Sequence, residues 1–187
     1  MAYVELAGRC LLGLVFLVAV TGKLRSRTAF DDFVASVAQF GLLPERWLPL
    51  TARLVLTGEA GIVLLLALPA TVPAGYALAI GVLGILSAGM LTAVRRGRRP
   101  ACLCFGAAGV PIGARHVARN LLLAAIAAGG LVASVATSGS PMRPAAALLA
   151  VATAVPLAAL VVRLDDIVEL FTASPVRAKP PVGPSGR

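Results

Sequence analysis

Residues 73–94 read PAGYALAIGVLGILSAGMLTAV, twenty-two positions without one charged side chain. As an α-helix the run is about 33 Å long at ~1.5 Å per residue, enough to cross the ~30 Å hydrocarbon core of a bilayer. It does not alternate polar and apolar residues as a barrel strand would. A helix is therefore the form in which it can satisfy its own backbone in lipid. Its flanks differ sharply. The turn PATVPAG (69–75) on one side carries no charge, whereas RRGRR (95–99) follows on the other.

Four further apolar runs lie outward from this one: 4–22 (VELAGRCLLGLVFLVAVTG), 52–68 (ARLVLTGEAGIVLLLAL), 117–136 and 145–162. The chain is 59% hydrophobic and 13% charged, against roughly a quarter charged for a soluble domain. The expected fold is an all-α, polytopic membrane helical bundle of five spans within residues 1–173. Nothing ahead of the first run supplies the Lys or Arg of a cleavable signal, and Arg9 spoils the lipoprotein-like approach to Cys10, so that run is expected to stay as a span. Residues 174–187 are rich in Pro and Gly with no apolar period, and are expected to be disordered.

Between the first two spans, Phe30, Phe33, Val34, Val37 and Phe40 recur at helical spacing, with Asp31, Asp32, Ser36 and Gln39 between them. The pattern predicts an amphipathic helix at about 28–41. It would lie in the headgroup region with Trp47 as a boundary anchor, or pack on the bundle. Helices three and four also carry small residues four apart: Ala77 and Gly81, Gly84 and Ala88, Ala124 and Ala128, Ala125 and Gly129. Such pairs permit close helix approach in lipid and are expected to form the packing faces.

The formal net charge of +9 reads as membrane topology and not as nucleic-acid binding, because the basic residues cluster at helix ends. With the N-terminus outside, fifteen Lys and Arg fall on the inner side and two, Arg9 and Arg143, on the outer. The expected location is the cell inner membrane, multi-pass, with the 95–116 connection at the cytoplasmic face.

That connection holds Ala-Cys-Leu-Cys-Phe-Gly at 101–106. Polar groups inside a span cost about 2.5–3.5 kcal/mol for a central charge on the insertion scale, so those that persist need a reason. Glu59 is the clearest, roughly 9 Å deeper than Arg53 at ~1.5 Å per residue. Lys23 closes the first span at the same end, and Arg119 and Asn120 open the fourth. Lys23, Glu59, Cys102, Cys104, Arg119 and Asn120 thus share one leaflet in either absolute orientation. Glu59 could serve only to hold the bundle by pairing with Arg119 or Lys23. Arg9 and Glu5, near the other end, read as an interfacial snorkel.

Three readings of the cysteine pair stand. Close spacing in a turn allows a small, strained disulfide ring suited to exchange, and the arginines before it favour thiolate. Two thiolates could instead hold Cu(I) or form half a zinc site, although His116 is the single histidine. They could also be inert buried thiols. From the residues alone no resident metal ligand set is assigned, no cofactor is evident, and a quinone is a possible electron acceptor without a signature of its own.

Several blocks together resemble a known family: GRCLLGLVFLVAVTGKLRSRTAF (8–30), FGLLPERW (40–47), LTGEAGIVLLL (56–66), ACLCFG (101–106) and RHVARNLLL (115–123). In this order and spacing the chain resembles the MauE membrane proteins of methylamine utilisation and, more loosely, DoxX-like proteins, over most of residues 9–125. The Cys-x-Cys-Phe-Gly, followed by Arg119–Asn120, carries most of the likeness. The resemblance implies a DoxX-like four-helix core plus a fifth transmembrane helix. It further implies thiol–disulfide handling by Cys102 and Cys104, supported by Lys23, Glu59, Phe105, Gly106, Arg119 and Asn120. The implied partner is a thioredoxin-like or other thiol protein, or a maturing one such as the disulfide-rich small subunit of methylamine dehydrogenase. That subunit matures outside, whereas the charge pattern puts the cysteines inside. Electron passage across the membrane, another substrate, or the opposite orientation would reconcile the two. The alternative class is a non-catalytic membrane subunit or a Cu/Zn-binding membrane protein.

The charge asymmetry makes a direct prediction. In intact cells a membrane-impermeant thiol reagent should leave reduced Cys102 and Cys104 unmodified, whereas rapid labelling would invert the orientation.

Overall fold

A computed structural model of the chain describes residues 2–98, 114–136 and 144–172. The expected tail, 174–187, and the Cys102–Cys104 segment lie outside the described residues. Six helices are present: α1 (Ala2–Leu24), α2 (Arg27–Gln39), α3 (Leu48–Ala67), α4 (Val72–Arg95), α5 (Ala114–Ala136) and α6 (Pro144–Thr172). Five of them, all except α2, are long and apolar enough to cross a membrane. The protein is a multi-pass helical membrane bundle, and no strand occurs among the described residues.

Local chemistry sets the helix limits. Ser26 is extended and accepts a hydrogen bond from the Ala29 N–H at 3.0 Å, capping α2. Gly41, at φ +58°, follows the end of α2, where a side chain would be strained and the Arg98 guanidinium lies against the backbone. Pro49 and Pro73 sit in the first turns of α3 and α4, where their missing N–H costs nothing.

Helices α1, α3, α4 and α5 pack in a closed ring, each against the next, and α6 rests on the outside of α1. The shared core includes Leu12, Phe16, Ile62, Leu66, Tyr76, Leu83 and Leu123. Leu64, Ile85, Val132 and Leu148 are more than half exposed on the outer surface, which is the arrangement expected where the outer solvent is hydrocarbon. Helix α2 lies across one end of the ring against α1 and α3, burying Phe33 and Ser36 and leaving Asp31 and Asp32 exposed.

The two ends of the ring are closed differently. At the end holding the α1 N-terminus, Tyr76 is fully buried and its hydroxyl donates to the Glu5 carbonyl at 2.6 Å. Its ring packs on Gly130 and its hydroxyl lies close to Gly8. Arg9 is not a snorkel with Glu5: it donates to the Leu66 carbonyl and, at 2.7 Å, to that of Ala67. These are carbonyls that the last turn of α3 leaves without helical partners. At the opposite end, Met90 of α4, Val117 of α5 and Phe40 just past α2 pack together.

The small-residue faces differ from those expected. Gly81, Gly84 and Gly129 have nothing within contact of a notional Cβ, and Ala77, Ala88, Ala125 and Ala128 are exposed. Spacing alone marks two candidate faces on each helix, and the face turned inward is the one carrying the larger core side chains. The small stripe used in packing is Ala150, Ala154 and Ala158 of α6, all buried, with the latter two joined to the core cluster that α1 shares.

A leucine at Gly84 should therefore leave stability within about 0.5 kcal/mol of the parent, as for an ordinary outward position. Gly130→Leu must displace the Tyr76 ring and should cost about 1–3 kcal/mol or more. Thermal unfolding in detergent, followed through the single Trp47, compares them. Equal midpoints for the two variants would reject the Tyr76–Gly130 contact.

Candidate functional site

Three helices and a covering segment converge on Glu59. It lies in the body of α3, whose side chains lean toward that helix's N-terminus. Lys23, in the last turn of the antiparallel α1, leans back into the bundle by the same rule. The two meet: Lys23 Nζ donates to both carboxylate oxygens, each at 2.7 Å. Both side chains are 2–3% exposed. The two side chains form a buried ion pair. The choice left open between Arg119 and Lys23 falls to Lys23.

Helix α2 covers the ammonium side of the pair. The Phe33 ring lies 4.7 Å from Lys23 Nζ, centroid to nitrogen, within cation–π range. Phe33 falls in the amphipathic stripe legible in the sequence, but its contact with the ammonium depends on how α2 folds back over the end of α1. Glu59 also borders a small cavity of about 20 Å³, lined besides by Val15, Phe16, Leu83, Leu86, Asn120 and Leu123. That is room for about one water molecule. Asn120 thus reaches the same space as Glu59, from α5.

Arg119 and His116 are buried in the first turns of α5, and Ser87 is buried in α4 with its hydroxyl donating to the Leu83 carbonyl at 2.7 Å. Of the predicted site residues, the structure brings Lys23 and Glu59 into direct contact, places Asn120 on the same cavity, and buries Arg119 beside it in sequence. Phe33, Ser87 and His116 belong to this polar end without having been expected as site residues. A lone serine in an apolar run satisfies itself on its own helix and gives no sequence signal. Cys102, Cys104, Phe105 and Gly106 lie outside the described residues. The flanking elements, the end of α4 and the start of α5, both meet at this end of the bundle through Met90 and Val117.

The family model described as methylamine utilisation protein MauE matches residues 1–133. The chain belongs to the MauE family. The match takes in Lys23, Glu59, the Cys102–Cys104 motif, Arg119 and Asn120, and the whole four-helix ring except the last residues of α5. Helix α6 lies beyond the matched region of this MauE-family protein. No curated protein and no solved structure matches the chain.

Burial makes the pair costly to break. Removing one partner leaves an isolated charge in a low-dielectric site, at about 3–5 kcal/mol. Lys23→Met and Glu59→Gln should each lower the unfolding midpoint in detergent, and the double variant should lose clearly less than the two losses combined. Additive losses in that cycle would show that the two side chains are not energetically coupled.

Proposed function

We propose that this MauE-family protein is a membrane-bound thiol–disulfide exchange component serving methylamine utilisation, with Cys102 and Cys104 as the exchanging pair. The observation that carries the reading is a coincidence of place. The buried Lys23–Glu59 pair, the Asn120 cavity and Arg119 gather at the end of the ring where α4 leads into the Cys-x-Cys connection and α5 leaves it. An intramembrane ion pair is costly because lipid offers it no compensation, and its position at this end of the ring supports the reading.

The proposed exchange balances as follows. A partner thiolate attacks one sulfur of the Cys102–Cys104 disulfide, the internal S–S bond breaks, and a mixed disulfide forms. The partner's second thiolate then attacks its own sulfur in that mixed bond. The partner leaves as a disulfide and Cys102 and Cys104 as the dithiol, two electrons and two protons richer. A membrane quinone is the class of acceptor that could take those electrons and protons to become the quinol. The basic side chains at this end favour the thiolate form through their field, and Lys23 and Glu59 shape that field without contacting the partner.

The test is the mass of the purified full chain after thiol alkylation across a series of redox buffers. Cys102 and Cys104 should convert together between doubly alkylated and unalkylated forms at a relatively oxidising potential, as a strained ring requires. Cys10, half-buried in α1 away from the polar end, should remain a single thiol. Replacing either loop cysteine should abolish the two-electron step without loss of membrane insertion. A pair that stays reduced under oxidising buffer, with no bound metal, would reject the exchange function.

A further inference from the structure

At the outer rim of the polar end, a cleft of about 490 Å³ opens between the end of α1, the start of α2 and the first turns of α3. Its walls include Lys23, Ser26, Arg27, Asp31 and Arg53, with Leu24 and Phe30 at its edges. We propose that this cleft binds the headgroup phosphate of an anionic glycerophospholipid of the phosphatidylglycerol type.

Three features select that chemistry. The first is charge. Lys23 is already neutralised by Glu59. Arg27 and Arg53 make no ion pair among the described residues, and they outnumber the Asp31 carboxylate by one. A headgroup with one net negative charge balances the cleft, while a zwitterionic one leaves a positive charge over. The second is donor geometry. Guanidinium groups present paired N–H donors that match phosphate oxygens, and Arg27 and Arg53 bring them to the cleft from two different helices. Asp31, one turn along α2 from Arg27, is an acceptor in the same lining, matching a headgroup that carries hydroxyl donors. The third is depth and surroundings. The cleft lies where two spans, α1 and α3, reach the polar boundary, and Leu24 in its lining offers apolar surface that is more than 60% exposed. An acyl chain can follow that surface while the phosphate stays in the cleft. The size is within the roughly 300–1,000 Å³ of small-molecule sites.

Native mass spectrometry of the full chain in detergent tests the assignment, with phosphatidylglycerol, phosphatidylethanolamine and phosphatidylcholine titrated separately. Phosphatidylglycerol should be retained most strongly. Each exposed arginine is worth about a fivefold change in affinity, so the R27Q/R53Q double variant should bind it about thirtyfold more weakly. The R25Q/R46Q double variant removes two charges from the same face outside the cleft and should keep the parent affinity. Both pairs are exposed, and size-exclusion elution checks that each variant keeps its fold. Equal loss in the two double variants would reduce the effect to general surface charge and overturn the site. Equal retention of the three lipids would do the same. Inorganic phosphate displacing the lipid at equal concentration would reassign the cleft to free phosphate and overturn the lipid.

Discussion

Glu59 and Lys23 are two charges that hydrocarbon cannot solvate, and the placement of the surrounding helices follows from keeping them together. The carboxylate is offered from the body of α3 and the ammonium from the last turn of α1, so α1 and α3 must be neighbours, antiparallel and in one register. Helix α2 then has a defined task, since its Phe33 ring covers the ammonium. On the inner side the Asn120 cavity brings α5 into the same assembly, and α4 closes the ring through Leu83 and Leu86. A buried ion pair contributes little net stability once desolvation is counted, but its loss on one side is expensive. Its role in such a bundle is therefore to fix register.

The opposite end of the ring has a different solution to the same constraint. There the polar groups are backbone carbonyls, and they are met by side chains from neighbouring helices: Arg9 on the last turn of α3, and Tyr76 on Glu5. These contacts are hydrogen bonds to backbone carbonyls and not a charge pair. The bundle is thus chemically polarised along its axis. One end is a structural lock, and the other collects Lys23, Glu59, Arg119, Asn120 and His116.

This polarity gives the MauE match its physical content. The matched region, residues 1–133, covers the ring and the segment between α4 and α5, whereas α6 stands outside it. Helix α6 packs on the back of α1 through an alanine stripe, remote from the polar end's small cavity. It buttresses α1, the helix that supplies both Arg9 at one end and Lys23 at the other.

The sequence by itself determined the fold class, the five spanning helices and the leaflet shared by the polar residues. Each of these follows from one-dimensional properties: the length of apolar runs, the 3.6-residue period, and the position of a charge relative to helix ends. Glu59 was legible as exceptional because a carboxylate in a span is costly wherever the helix points. Its partner was not legible, since Lys23 and Arg119 lie at equivalent depths and only the adjacency of α1 to α3 decides between them. Arg9 was misread for the same reason, because the carbonyls it caps are some fifty-seven residues away in sequence. The glycine faces show the limit most clearly. Gly84 belongs to one of the spaced pairs and faces outward, whereas Gly130, in none of them, receives the Tyr76 ring. In lipid both faces of a span are apolar, so composition cannot say which is inward. That is settled only when the helices choose their neighbours.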